Sequence, residues 1–452
     1  MLRVLTSLAP LLVVLLLPGR PEAKLVSRGL VLHGATKTQE STIRALIGLE
    51  PGDPVDSALL ESAERRLAQS DLFLSGKVWL DLPAEEAARR MSAGEATEEI
   101  DVHVTVEEKQ SWFAVPVGSV GAGDLAIGAA FVEQNLAGLG LQLLAAAQYG
   151  QSKSFVLAGL RQPQASFAPL TWSVFGFWRL ESFRFYEDHR VTFHVPARVM
   201  GGDVKLGWVA TPTLRLTAGL LYHRIQVFAP AADNPAAAPP AYNPRSGGLV
   251  LAQVHLVYDS TVAPQGMREG ARFTMFNELA DGVLGSDFDY FKLDLRLELY
   301  GKWRQTYPSL LGRVTVTQPT SPRGVPLSEL LRSGGPELRG FNTSEFRGDV
   351  VATLQLEEQI PLLSDIPVPL TEKTINLALA TFVDVGLVAE RNPGGVAGAA
   401  SGPAKVGLHA GVGVGARVVI PGIAIPVLRV DLAYGIDVKD LAVTLAVAGG
   451  SI

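Results

Sequence analysis

Phe291–Leu299 reads FKLDLRLEL. Phe291, Leu293, Leu295, Leu297 and Leu299 alternate strictly with Lys292, Asp294, Arg296 and Glu298. Successive strand side chains point to opposite faces, so this stretch has one apolar face and one charged face. It also has the length that a tilted strand needs to cross a bilayer. From Ser111 onward, similar but looser alternation recurs at Phe155–Leu160, Leu170–Phe177, Leu214–Phe228, Leu249–Tyr258, Val350–Leu356, Ile375–Leu387, Val406–Val419 and Val427–Tyr434. Gly and Ala fill many of these positions, as expected where side chains crowd inside a closed sheet.

A soluble β-sandwich also alternates, with its polar faces to water. Three features favour a membrane barrel. The strand-rich region runs for about 340 residues, too long for one ordinary sandwich. Aromatics recur near strand ends, as Trp112, Phe113, Trp172, Trp178, Trp208 and Trp303, where a bilayer interface would place them. The chain also begins with an export signal. Arg3 precedes a ten-residue apolar core, Leu8–Leu17, which Pro18 and Gly19 break before Ala23. That core is too short to span a bilayer as a helix.

Composition agrees. The chain has 452 residues, 19% charged, with a net charge of −6 and no Cys. Its mean hydropathy is +0.23. The absence of Cys excludes disulfides, thiolate nucleophiles and Cys metal sites. The charge balance excludes nucleic acid as a partner. The seven His are scattered, without H-E-x-x-H context around His189 or His194. Gly150–Ser154 lacks the final Gly of a nucleophile elbow. Gly411–Ala416 has loose dinucleotide spacing but lies in a strand pattern and opens no helix. No catalytic residue, cofactor or metal site is expected.

Residues 24–108 read as a separate β-α-α-β-β unit. Leu25–His33 is a strand. Thr36 and Gln39 have capping-box spacing before the helical stripe Ile43, Leu46 and Ile47, which Gly48 ends. Pro51-Gly52-Asp53 is a turn, and Leu59, Leu60, Ala63 and Leu67 form a second helical stripe. Val78–Leu82 and Ile100–Val106 alternate as strands, with Pro83–Glu99 a charged loop between them. The expected fold is therefore a small α+β domain followed by a transmembrane antiparallel β-barrel of about 16 strands. The segments are 1–23 signal peptide, 24–108 small domain and 109–452 barrel. Segmentation across His189–Thr213 gives one strand too many, and Ala229–Ser246 reads as an outer loop.

Between two strand signals, Arg332–Glu345 reads RSGGPELRGFNTSE. Its core, Leu338-Arg339-Gly340-Phe341, resembles the lumen-folded loop motif of the BamA/TamA-type outer-membrane assembly superfamily. The small domain resembles a single POTRA domain. Other phrases appear in matching order. Glu133–Gly138 resembles an E-x-N-L-x-G phrase. Asp259, Pro264, Gly266 and Gly270 resemble a D…P…G pattern. Phe382-Val383-Asp384-Val385-Gly386 resembles an F-x-D-x-G strand. Alternation puts Phe382, Asp384 and Gly386 on one face of that strand. An acidic residue should face the lumen, and a loop Arg buried there needs a carboxylate. Arg339 is therefore paired with Asp384, with Glu357, Glu358 and Asp431 as rival acids. Gly340 permits close approach or positive φ, and Phe341 wedges the loop.

The resemblance implies an outer-membrane protein whose N-terminal domain lies in the periplasm. It implies insertion of client polypeptides through a lateral seam between the first and last barrel strands. Implied partners are unfolded outer-membrane or secreted client proteins, outer-membrane lipid, and periplasmic or lipoprotein partners. A POTRA-like domain would offer strand edges to extended clients. Two-partner secretion channels share the loop motif and are the alternative, although they usually carry two POTRA units and a plugging helix. A passive pore is the third reading. The chain also departs from the family pattern, ending Gly449–Ile452 without a terminal aromatic.

Overall fold

The computed structural model describes residues 25–70, 72–83, 98–121, 123–162, 169–232, 245–263, 267–367, 374–391, 405–420 and 427–447. The segment expected to be a signal peptide, most of the loops at 83–99 and 229–246, Pro264, Gly266 and the last five residues lie outside this set. The chain divides into two compact units between Lys109 and Gln110.

The first unit runs β1 (Leu25–His33), α1 (Glu40–Ile47), α2 (Ser57–Gln69), β2 (Phe73–Leu80) and β3 (Glu98–Glu108). β3 is central, pairing in parallel with β1 and antiparallel with β2. Ile43, Ile47 and Leu67 from the helices pack on Leu25, Val102 and Val104. Each such buried side chain contributes about 1.5–3 kcal/mol, enough together for one small core. Asp56 caps α2 by accepting from Leu59 N at 2.7 Å. The expected capping box at α1 does not form. Gln39 is its N-cap and makes no side-chain cap bond. Thr36 instead donates through Oγ1 to Glu108 at 2.5 Å, while the backbone N–H groups of Thr36, Lys37 and Thr38 donate to the same carboxylate. A charged acceptor on a neighbouring strand outcompetes the local cap.

The second unit is a closed antiparallel barrel. Its first half comprises β4 (Trp112–Gly121), β5 (Asp124–Leu136), β6 (Leu141–Gly150), β7 (Lys153–Gln162), β8 (Leu170–Glu187), β9 (Arg190–Thr211), β10 (Leu214–Val227), the short β11 (Ala231–Ala232) and β12 (Gly247–Asp259). Then come β13 (Gly270–Ala280), β14 (Tyr290–Tyr300) and β15 (Tyr307–Pro319). A two-stranded arm, β16 (Leu331–Ser333) and β17 (Phe346–Gly348), leaves the wall. The wall resumes with β18 (Val350–Pro367), β19 (Thr374–Glu390), β20 (Lys405–Val419), β21 (Leu428–Gly435) and β22 (Asp440–Val447). Setting aside β11, a two-residue piece, sixteen strands close the wall. Closure pairs every strand on both sides, as a sheet in hydrocarbon requires.

The counting ambiguity at His189–Thr213 resolves into one long strand, β9, entered through a turn with Asp188 and His189 at positive φ. Trp178 lies in the middle of β8 rather than near an end. Alternation sets the two faces. Ile127, Val156, Leu206, Leu220, Leu354 and Val383 are exposed on the outer wall. Inside, Lys292 pairs with Glu278 and Glu329, and Arg313 with Asp294.

Among the described residues, one ladder is shorter than its neighbours. β22 meets β4 only at Thr444–Val447 opposite Gly118–Gly121 among the described residues, whereas β21 and β22 pair along Leu428–Gly435 opposite Asp440–Val447. Pro116, beyond that ladder on β4, has no N–H to donate, and proline in sheets is confined to edges.

Candidate functional site

The segment between β15 and β18 folds into the lumen. Its first part is apolar. Val325 and Leu327 join Phe183, Phe193, Val199, Ile225, Leu249, Leu251 and Phe288 in a buried cluster on the inner faces of β8–β12 and the β13–β14 connection. Glu329 then meets Lys292 at 3.1 Å, and Arg332 meets Glu181 at 2.7 Å. Burying these charges is tolerable because each has a partner.

The arm β16–β17 carries the Leu338–Phe341 tip. Gly334, Gly335 and Gly340 all have positive φ, which non-glycine residues adopt only with strain. Leu338 is fully buried against Gly386, where a Cβ would come within 2.8 Å of Leu338 Cδ2. Arg339 lies between two carboxylates. Its Nε and Nη2 donate to Asp384 Oδ2 and Oδ1, both at 2.6 Å, and its Nη1 donates to Glu357 Oε2 at 2.5 Å. The Arg339 backbone N–H also donates to Asp384, at 3.0 Å. The guanidinium lies 3.4 Å from the centroid of the Phe382 ring. This is the planar two-point fit that Lys cannot reproduce. Phe341 packs edge-on to Phe346 and His409.

The network continues past the residues singled out in the sequence. Glu357 also accepts from Arg417, at 2.8 Å from Nη2, and Arg417 lies 2.7 Å from Asp431. Arg429 pairs with Asp431 in turn. Three guanidinium and three carboxylate groups thus alternate, and their formal charges cancel. Of the rival acids, Glu357 shares Arg339, Asp431 serves Arg417 and Arg429, and Glu358 falls on the alternate face of its strand. Arg417 had a usable sequence signal, as a charge at an inward position after the Gly/Val/Ala run Ala410–Ala416.

Glycines set how closely the tip approaches the wall. Gly411 and Gly435 face each other across β20–β21. A Cβ at Gly411 would lie 2.0 Å from the Arg339 carbonyl oxygen, and one at Gly435 would lie 2.5 Å from that of Gly340. Both are cradle positions where any side chain would push the tip inward. Sequence alone showed these glycines only as part of an alternating strand.

The other singled-out phrase within the described residues forms a turn. Glu133 accepts from Asn135 N, and Asn135 accepts from Gly140 N, each at 2.8 Å. Ala137 and Gly138 there have positive φ. Gly270 also has positive φ, and Asp259 accepts from Thr261 nearby.

Several solved structures share this fold. BamA from Haemophilus ducreyi lacking POTRA domains 1-3 superposes with a TM-score of 0.65 at 15% identity, covering 94% of this chain and 84% of that one. CdiB from Acinetobacter baumannii gives 0.59 at 13%, covering 93% and 74%. CdiB from Escherichia coli gives 0.53 at 13%, covering 95% and 91%. No curated protein matches the sequence. The Omp85 superfamily domain model matches residues 135–441, from the end of β5 into β22. With that match over most of its length, and with a closed sixteen-strand barrel, the protein belongs to the Omp85 superfamily.

Proposed function

We propose that this outer-membrane barrel inserts client polypeptides through the seam between β4 and β22, with the Arg339-anchored loop holding the rest of the wall rigid. The observation that carries the reading is the short seam ladder. Among the described residues, four facing pairs hold β22 to β4, at Thr444–Val447 and Gly118–Gly121, beside the β21–β22 and β4–β5 ladders that run the length of their strands. At a net value of about 1 kcal/mol per backbone hydrogen bond, this described ladder costs less to part than its neighbours. An opened seam presents two unpaired strand edges, which template an incoming strand by main-chain bonding. The energy comes from client folding, and no covalent step is needed.

The lumen contents support insertion over secretion. Val325, Leu327, Glu329 and Arg339 lie in the interior, so a polypeptide crossing the lumen beside them would have to displace both an apolar cluster and an ion-pair network. In the first unit, read as a periplasmic POTRA-like domain, client strands would have limited edges to join. β1 is covered at Leu25–Ser27 by bonds to Gly52, Asp53 and Val55, and β2 donates Val78 N–H to Glu64 at 3.0 Å.

Cysteine cross-linking tests the proposal in this Cys-free chain. Ser119→Cys and Ala446→Cys face each other across the seam. Thr353→Cys lies on β18, away from it. Adducts with nascent barrel precursors at positions 119 and 446, and not at 353, are expected. Adducts confined to 353 would replace insertion with secretion. No adducts at any position would leave a passive pore.

A further inference from the structure

We infer that the loop tip is also a clasp across the seam, with Asn342 and Gly123 as positioning residues on its β4 side. This rests on the proposed reading of the seam as the exit. The short ladder stands between two turns at one end of the barrel. One connects β4 to β5 and contains Gly123; the other connects β21 to β22 and contains Asp437. The consecutive tip residues Gly340, Phe341 and Asn342 reach both.

On the β21 side the contact is close and repeated. A Cβ at Gly340 would fall 2.7 Å from Gly435 N, so backbone meets backbone there. Phe341 lies edge-on to His409, with ring centroids 5.9 Å apart, and His409 Nδ1 is 2.6 Å from Asp437 Oδ2 in the turn. On the β4 side, Asn342 Oδ1 lies 2.9 Å from where a Cβ on Gly123 would be. Gly123 has a φ of 72°, and its carbonyl accepts from Arg184, so its position is fixed from the wall. Asn342 is fixed from the loop and the β8–β9 turn, since its N–H donates to Glu345 Oε2 at 2.7 Å, its Nδ2 donates to the His189 carbonyl at 3.5 Å, and Glu345 pairs with His189.

Parting β22 from β4 at this end separates Gly123 from Gly435. Gly340 and Phe341 sit on the β20–β21 side and the adjacent Asn342 sits beside Gly123, so one set of contacts must break. Arg339, Leu338 and Phe341 hold the tip to β18–β20, whereas the β4 side rests mainly on Asn342. The tip therefore stays with the last strands and lets go of the first hairpin. This makes Asn342 the residue that biases the seam towards closure without touching either seam strand.

Amide hydrogen exchange of the full chain in lipid bilayers tests this. In Asn342→Ala, which removes the side chain packed beside Gly123, exchange in Gly118–Gly121 and Thr444–Val447 should rise roughly threefold to tenfold. The β12–β13 ladder should not change. Gly123→Ala, which drives a methyl at Asn342 Oδ1, should act in the same direction, and a Ser119→Cys/Ala446→Cys disulfide should abolish both effects. Seam exchange within twofold of wild type in both variants would overturn the clasp while leaving client adducts, and so the insertion reading, intact. Raised seam exchange without client adducts would instead sustain the clasp and remove the exit.

Discussion

Arg339→Ala removes three charge-assisted bonds at once, and the structure says which acid suffers. Glu357 keeps Arg417 at 2.8 Å. Asp384 is fully buried and keeps only the backbone N–H of residue 339. One carboxylate is orphaned rather than two, which places the cost near the lower end of the 3–5 kcal/mol typical of a broken buried pair, at about 3 kcal/mol. That cost falls on the docked loop, so the population of undocked loop should rise roughly 10²-fold at 1.4 kcal/mol per tenfold change. Amide exchange across Leu338–Phe341 reads that population directly, because the Arg339 N–H is buried and bonded to Asp384. Arg339→Lys should recover part of the protection, since it keeps the charge and loses the two-point fit. Asp384→Ala should nearly reproduce Arg339→Ala, and the double variant should cost less than the sum, with a coupling of about 1.5–3 kcal/mol. Exchange within threefold of wild type in Arg339→Ala, or strict additivity in the cycle, would refute the anchoring argument.

Other expectations follow from the same geometry. Lys292→Met leaves Glu278 and Glu329 facing each other without their shared cation, and should loosen the Val325–Glu329 segment by about 3–5 kcal/mol, measured as protease cleavage near Leu327. Gly411→Val places a side chain against the Arg339 carbonyl and should cost about 1–3 kcal/mol of loop docking, without preventing barrel closure on heat-modifiability gels. The small domain carries a pH test. Burial raises the Glu108 pKa, but donors from Thr36, Thr38 and Lys37 outweigh it and hold the carboxyl at about 2, below the ordinary 4.5. A depressed folded-state value stabilises above pH 4.5 and is lost as pH falls from there through about 2. Solvent screening limits this to about 0.5–1 kcal/mol, so Glu108→Gln should flatten that part of the domain's acid-stability curve by a similar amount.

Much of this protein is local in origin. Strict alternation in Phe291–Leu299 fixes a strand with two unlike faces, because side-chain period is a property of the backbone alone. The order of stripes and turns over Leu25–Glu108 gives the β-α-α-β-β unit for the same reason. The inward face of Asp384 also follows from alternation within its own strand. Local rules failed where a distant group competed, as when Glu108 took the donors around Thr36 from the expected cap. Which acids share Arg339, the Arg417–Asp431 extension and the seating of the tip on Gly411 and Gly435 depend on which strands lie side by side after closure. So does the β22–β4 ladder, the pairing of residues more than 300 positions apart in sequence. Register between distant strands is set by the closing of the whole sheet, and no segment read alone carries it.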